Sequence, residues 1–564
     1  HAANTLTFAG ASTGYSFDSD LLLATGGVIN WNAGDVTITH AANTLTFAGA
    51  STGYSFDSDL LLATGGVINW NAGDVTITHA ANTLTFAGAS TGYSFDAAVT
   101  ATAFYGGTVL NVLSYGAVGD GSTDDLTAIN SAIAAANSTG HPIYFPSGTY
   151  KVSAATDEIT ANGVILYGEG RNSTIIANAA ATGNTFYLTG QFSGVRDMSF
   201  VPSVFRTGDY EVLISGGFQN FLDNVYANFA YRGFGIVSTA SALLTNISLR
   251  YLTGDIGLNY SGTVTTSSYG LYCSKIVADN PYVNGVTASN VTGAFAGTTA
   301  YSLSDLFTAN GWVFQVTSAG TSAASAPAAP TTTAWYTTSV TNGTIEVRAI
   351  HKIGATWIVQ DNYSNSLSVS QAALLNLDSG FRMDDTAATG TSYPSWAYFF
   401  DLEVDHSYAL CCDLKHGRGF HTTASWVGSC LNGNGISFNT SFIGEAIVQG
   451  TRVLGNAEHG ILISAGTEIK ISDNFVCNNG TKTTDTYHGV SVAADVNRFT
   501  ITNNTVGRLV PETSSGQSWG ILVNTGASDY YIIQGNLGES TTGNVQGTLS
   551  DNGTGSNKSV TGNV

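Results

Sequence analysis

The sequence predicts an all-β protein built as a parallel β-helix, a solenoid. A short capping helix leads it, a β-rich repeat stalk precedes it, and a small inserted β module interrupts it. Three observations predict this class. Charged residues are only 10% of the 564, while glycine contributes 66. Long helices want alanine, leucine, glutamate and lysine together, and the last two are scarce, so strands and tight turns dominate. Finally, Asn474, Asn504 and Asn536 recur 30 and then 32 residues apart, and a strand of one type precedes each: HGILI at 459–463, HGVSV at 488–492 and WGILV at 519–523. One asparagine per coil suits a turn, where its amide bonds to neighbours and left-handed backbone is tolerated. Stacked coils would align these residues as a ladder.

The chain is too long for one compact core, which also favours an elongated or multi-domain form. Residues 1–39 recur unchanged at 40–78, and 79–96 repeat the first 18 again, a period of 39. Within the copies Val75–Thr78 and Thr83–Phe86 alternate apolar and polar residues, as strands do, and Asn71–Asp74 reads as a turn. So short a repeat cannot bury a core alone, so residues 1–109 read as a stalk or connector completed by stacking. The chain opens at His1 inside a repeat, and its true beginning is expected upstream.

From Asn111 the chain reads NVLSYGAVGDGSTDDLTAINSAIAAANSTGHPIYFPSGTYKV. Asp120, Ser122 and Thr123 are candidate helix caps, and Asp124 and Asp125 suit the positive N-terminal end. Leu126, Ile129 and Ile133 fall on one helical face before Gly140 stops it. Ile143–Phe145 is a short strand, Pro146–Gly148 a turn and Tyr150–Val152 another strand. The pattern YGA-x-GDG-x-(S/T)DD, a helix, then (I/V)-x-F-P-x-G-x-Y closely resembles the opening of the pectate lyase-like β-helix superfamily. In that superfamily the helix caps the N-terminal end of a right-handed parallel β-helix.

After the helix, Val195-Arg-Asp197, Leu222-Asp-Asn224-Val225 and Leu244-Thr-Asn246-Ile247 share one motif, and the three late asparagine segments share another. These place the first part of the β-helix at 110–304 and the second at 371–540, with 541–564 as an end segment. Between them, residues 305–370 hold SAGTSAASAPAAPTTTAWY, an exposed loop by composition, and VTNGTIEVRAIHKIGATWIV. This stretch resembles a module recurring in phage tail and capsid-associated proteins. Trp312, Trp335 and Trp357 in it read as structural, with sugar binding as the alternative.

Over roughly 110–540 the chain resembles bacteriophage tailspikes and their polysaccharide depolymerases. The resemblance implies a homotrimer on the virion tail, outside the cell, joined to other tail or baseplate proteins. It also implies binding, and cutting, of host bacterial surface polysaccharide. A tail fibre that binds without cutting and a secreted polysaccharide-degrading enzyme are the other readings.

Charge agrees with this. Lys and Arg total 18 against 39 acidic residues, a net −21, and that field repels nucleic acid. It also disfavours a strongly anionic glycan, although a local basic patch could hold one. Aromatics at 11% offer platforms for sugar faces. Cys273, Cys411, Cys412, Cys430 and Cys477 form neither a metal-ligand pattern nor a disulfide framework, and buried thiols are expected. No apolar run reaches membrane-spanning length. No cofactor is expected, and a structural or catalytic divalent cation is left open.

Hydrolysis of a glycosidic bond needs two carboxylates. The densest acidic cluster is Asp401, Glu403 and Asp405, alternating with Leu402 and Val404, so the carboxylates would face outward on one strand. Residues two apart on a strand are separated by ~6.6 Å, within the roughly 6.5–9.5 Å of inverting glycosidases. Glu445, Glu458 and Asp384–Asp385 are rivals. A lyase needs a base and a cation, and Lys415, His416 and Arg418, with His421 and His406 nearby, are the best basic candidates. Hydrolysis is favoured because carboxylates are plentiful and basic residues few.

Overall fold

The structure, a computed structural model, describes strands between 28 and 48 and between 67 and 87. It also describes residues 109–564 apart from 264–265, 281–285, 333–334, 336, 387–392, 508–515 and 539–543. The chain divides into two units, His1–Thr100 and Ala101–Val564. In the first, a three-stranded antiparallel sheet straddles each junction between copies, Val28–Trp31, Val36–Ala41 and Thr44–Ala48 at the first, Val67–Trp70, Val75–Ala80 and Thr83–Ala87 at the second. Register repeats with the sequence: Val28 pairs with Thr39 and Val67 with Thr78. The expected turn at Asn71–Asp74 lies outside the described residues.

In the second unit 32 strands join in one hydrogen-bonded system, a parallel β-solenoid of about 15 turns. Each coil contributes three flanks. Representative first-flank strands are Tyr210–Ser215, Arg232–Val237 and Ile256–Ser261. The second and third flanks are often one continuous strand bent at a corner, as in Phe221–Asn228, Ala240–Arg250 and Ser395–Asp405. One residue in left-handed backbone makes each bend. Register stacks Asp197, Asn224, Asn246, Lys275, Gln371, Asp401, Ala424, Gly450, Asp473 and Asn503 in one column, all with φ from +51° to +60°. Asn, Asp and Gly tolerate this region best, which is why the early motifs carry Asp197, Asn224 and Asn246 there.

The residue after each corner points inward. In early coils it is aliphatic and buried: Met198, Val225, Ile247, Ile276, Leu402. From Ser425 and Thr451 onward the column turns polar and becomes Asn474, Asn504, Asn536 and Asn563. The Nδ2 of Asn474 donates to Oδ1 of Asn504 at 2.9 Å, Asn504 to Asn536 at 2.9 Å, and Asn536 to Asn563 at 2.8 Å. The late asparagines are therefore interior rungs, and the left-handed corner falls to the residue before each. A second amide ladder, not seen in the sequence, runs down the corner between the third and first flanks. There Asn456 donates to Asn479 at 2.9 Å, Asn479 to Gln517 at 3.3 Å and Gln517 to Asn544 at 2.7 Å.

Helix α1 (Leu126–Thr139) buries Ala128, Ile129, Ala132, Ile133 and Ala136 in the core that continues into the solenoid, and Gly140 ends it at φ 71°. Its capping differs from expectation. Asp120, Ser122 and Thr123 belong to a strand, Asp120–Asp124, where the Asp120 carboxylate accepts from the backbone of Ser122 and Thr123. Asp124 instead accepts from Leu126 N at 3.2 Å.

Two boundaries also differ. The inserted sheet orders its strands Val291–Ala294, Leu306–Ala309, Trp312–Ser318, Ile345–Lys352 and Val340–Asn342, whereas 305–370 was expected. Thr356–Asp361 and Ser364–Leu375 are solenoid strands, and the latter pairs directly with Ser268–Asp279. Trp357 is thus a solenoid core residue, fully buried, its Nε1 donating to Leu375 O at 2.8 Å. Trp312 and Trp335 are buried within the insert, and Trp335 lines a pocket of about 440 Å³ there. Parallel pairing also runs past 540, through Gly547–Gly553 and Lys558–Thr561. All five cysteines are buried free thiols. Among the described residues no helix is long and apolar enough to cross a membrane.

Candidate functional site

Ser395–Asp405 turns the corner between the second and third flanks at Asp401, whose φ is +55°. The three carboxylates therefore do not share one flat strand. Asp401 is a corner residue in the left-handed column, whereas Glu403 and Asp405 alternate with buried Leu402 and Val404 on the third flank. The ~6.6 Å two-residue separation applies to that second pair.

Their environments push the two acids in opposite directions. Partial burial raises the Glu403 pKa, and the charges of Asp405 and then Asp401 raise it further. Burial also raises Asp405, but His406 outweighs this and leaves its pKa below the usual carboxylate range. His406 Nδ1 lies 2.9 Å from Asp405 Oδ2. Two carboxylates whose acidities diverge in this way offer the division of labour that acid–base catalysis needs.

Coil register supplies the neighbours. Glu403 lies beside Ala373 on one coil and Trp426 on the next, and Trp426 is followed by Arg452 and Phe475. Sequence reading missed these three residues. Each follows the interior corner residue, as Ser425-Trp426, Thr451-Arg452 and Asn474-Phe475, so aligning the coils on that column is the signal that finds them. On the second flank, reached across the corner, Tyr398 and Phe400 are exposed. There Trp396 and Tyr398 stack at 6.5 Å, and His421 meets Tyr398 edge-on at 5.0 Å.

The basic candidates separate. Lys415 and His416 end the first flank, where Lys415 Nζ is 3.6 Å from Asp384 and 3.8 Å from Asp413, and His416 Nδ1 is 3.6 Å from Asp385. The Asp385 side chain is fully buried, and neither oxygen accepts a hydrogen bond. Arg418 lies past the next corner, 3.8 Å from Glu445 and 5.4 Å from the Trp396 ring centroid. Glu445 is itself a left-handed corner residue, φ 60°. Glu458 lies on the Arg452 coil, before the first-flank strand Ile461–Ile463, and is paired with Lys482 at 3.1 Å. Among the described residues, no three His, Cys, Asp or Glu side chains are grouped to hold a metal ion.

Coil, flank and corner define a parallel β-solenoid. Residues 109–331 match the family described as rhamnogalacturonase A/epimerase, pectate lyase-like. The chain is 26% identical to the pre-neck appendage protein of Bacillus phage B103 over 191 residues, 32% of this chain and 21% of that protein. It is 42% identical to mannuronan C5-epimerase AlgE4 of Azotobacter vinelandii over 72 residues, 12% of this chain and 13% of the enzyme. The chain thus spans about a fifth or less of these two relatives. Among solved structures, tailspike protein 3 of bacteriophage CBA120 superposes with a TM-score of 0.52 at 13% identity, covering 81% of this chain and 61% of that one. That likeness is one of fold.

Proposed function

We propose that this chain is a phage tailspike that binds an extended bacterial surface polysaccharide along its third flank and hydrolyses it there. The observation that carries the reading is the pair Glu403 and Asp405, adjacent on one face and driven apart in acidity. Glu403 protonates the departing glycosidic oxygen. Asp405, kept ionised by His406, takes a proton from the attacking water. Asp401 acts through Glu403, its charge helping to keep that acid protonated. A separation of ~6.6 Å leaves room for water between sugar and base, so the anomeric configuration inverts. Similarity to a phage appendage protein and the tailspike-like fold support the virion setting. In that setting the protein is a homotrimer attached to other tail proteins.

The test is capsule clearing by Glu403→Gln. Loss of a general acid lowers the rate by about 10² to 10⁴, so clearing should vanish while glycan binding persists. Clearing at the wild-type rate places the acid elsewhere. A second reading, a polysaccharide lyase, is favoured by the buried Asp385 carboxylate behind His416, which can orient that imidazole as a base beside Lys415. Products absorbing as unsaturated uronates, lost in His416→Ala, select it.

A further inference from the structure

We infer that the row Trp426–Arg452–Phe475 is a binding lane for a polysaccharide carrying an isolated acidic sugar, held by Arg452 two coils from Glu403. The inference rests on the hydrolase reading only for the place of cleavage, since the lane is argued from its own residues.

Three observations carry it. These side chains occupy the same outward position on consecutive coils, so they form a line parallel to the solenoid axis with steps of ~4.8 Å. One step is close to the length of one sugar ring in an extended chain. The outer residues of the line are aromatic. Phe475 is 41% exposed, and the Trp426 indole lies along its own strand, where a Cβ on Gly428 would sit 2.9 Å from Nε1 and 3.4 Å from Cε2. The pyrrole edge is turned onto the glycine and Nε1 is buried, which leaves the ring as a flat platform. Between them Arg452 is exposed, and no carboxylate among the described residues pairs with it.

Charge selects the occupant. With a net −21, a dense polyanion is repelled along the whole length. One guanidinium between two apolar platforms instead matches one carboxylate set between neutral rings, and its planar fork suits bidentate carboxylate binding. Because Glu403 lies two coils away, the bond cut falls about two sugar units from the acidic residue.

The full chain should be tested by surface plasmon resonance against purified capsular polysaccharides, half of them neutral and half bearing uronate or pyruvyl groups. The polymer bound is expected to be acidic. Reducing its carboxyls to alcohols should weaken binding at least tenfold, Arg452→Ala should do the same to the untreated polymer, and Arg452→Lys should restore part of the loss. Trp426→Ala should weaken both treated and untreated forms. Binding of neutral polymers alone, binding of none, or indifference to carboxyl reduction overturns the lane. Glu403→Gln separates the two ideas: wild-type cleavage by that variant with Arg452-dependent binding intact removes the hydrolase assignment and keeps the lane.

Discussion

At Glu403 the local field sets the pH at which an acid catalyst remains protonated. Burial and the two neighbouring carboxylates raise its pKa, so under the proposed hydrolytic mechanism the alkaline limb of the activity profile should report it. Removing a nearby negative charge lowers that pKa, and the acid is then lost at lower pH. Asp401→Asn should therefore shift the alkaline limb downward while retaining most activity, because asparagine accepts the left-handed corner as aspartate does. An unshifted limb detaches Asp401 from the acid. The sequence showed Glu403 and Asp405 through strict alternation with Leu402 and Val404. It hid the bend at Asp401, because a corner breaks alternation only by placing Phe400 and Asp401 outward in succession, and Phe400 looks like a core residue until its 58% exposure is known.

Among the elements, the amide ladder offers the clearest energetic test. Asn504 accepts from both the backbone N and Nδ2 of Asn474 and donates to Ile471 O and Asn536 Oδ1, all inside the core. Asn504→Leu resembles the aliphatic residues of the same column in earlier coils, yet it leaves buried partners on both neighbours unpaired. Each such group costs about 1–3 kcal/mol, so thermal unfolding should begin several degrees lower. A second test concerns His459 and His488, which precede the first-flank strands Ile461–Ile463 and Val490–Val492 and whose rings lie 5.1 Å apart. Burial holds His459 down to about 3 and His488 down to about 4. In the unfolded chain these imidazoles take up protons as pH falls through their ordinary pKa of 6.5, whereas in the folded protein they do so only at lower pH. Stability should thus fall as pH drops from about 6.5 towards about 4, and His488→Gln should flatten that fall in a denaturation series. The repeat spacing was legible because each late coil restarts with the same strand. The second ladder was not, because its members, Asn456, Asn479, Gln517 and Asn544, differ in residue type and in spacing.

For the whole molecule, light scattering of the intact protein is expected to give three times the chain mass of 58.4 kDa. A stable single-chain mass leaves the tailspike assembly without support. The helix that opens the solenoid was readable from the apolar face of Ile129 and Ile133. The end of the insert was not, because the alternation of solenoid strands resembles that of a separate sheet. What distinguishes Thr356–Asp361 is its partner, Ile256–Ser261, a pairing between strands remote in sequence. That pairing carries a consequence for descent. Coils before and after the insert are bonded to each other as though nothing lay between them, and other coils cross the same corner by short links such as Phe229–Tyr231. A lineage could therefore gain, lose or exchange the inserted sheet, residues 291–352, in a single recombination event without renegotiating the register of any neighbour. Such cassettes would let the outer decoration of the shaft diversify much faster than the shaft.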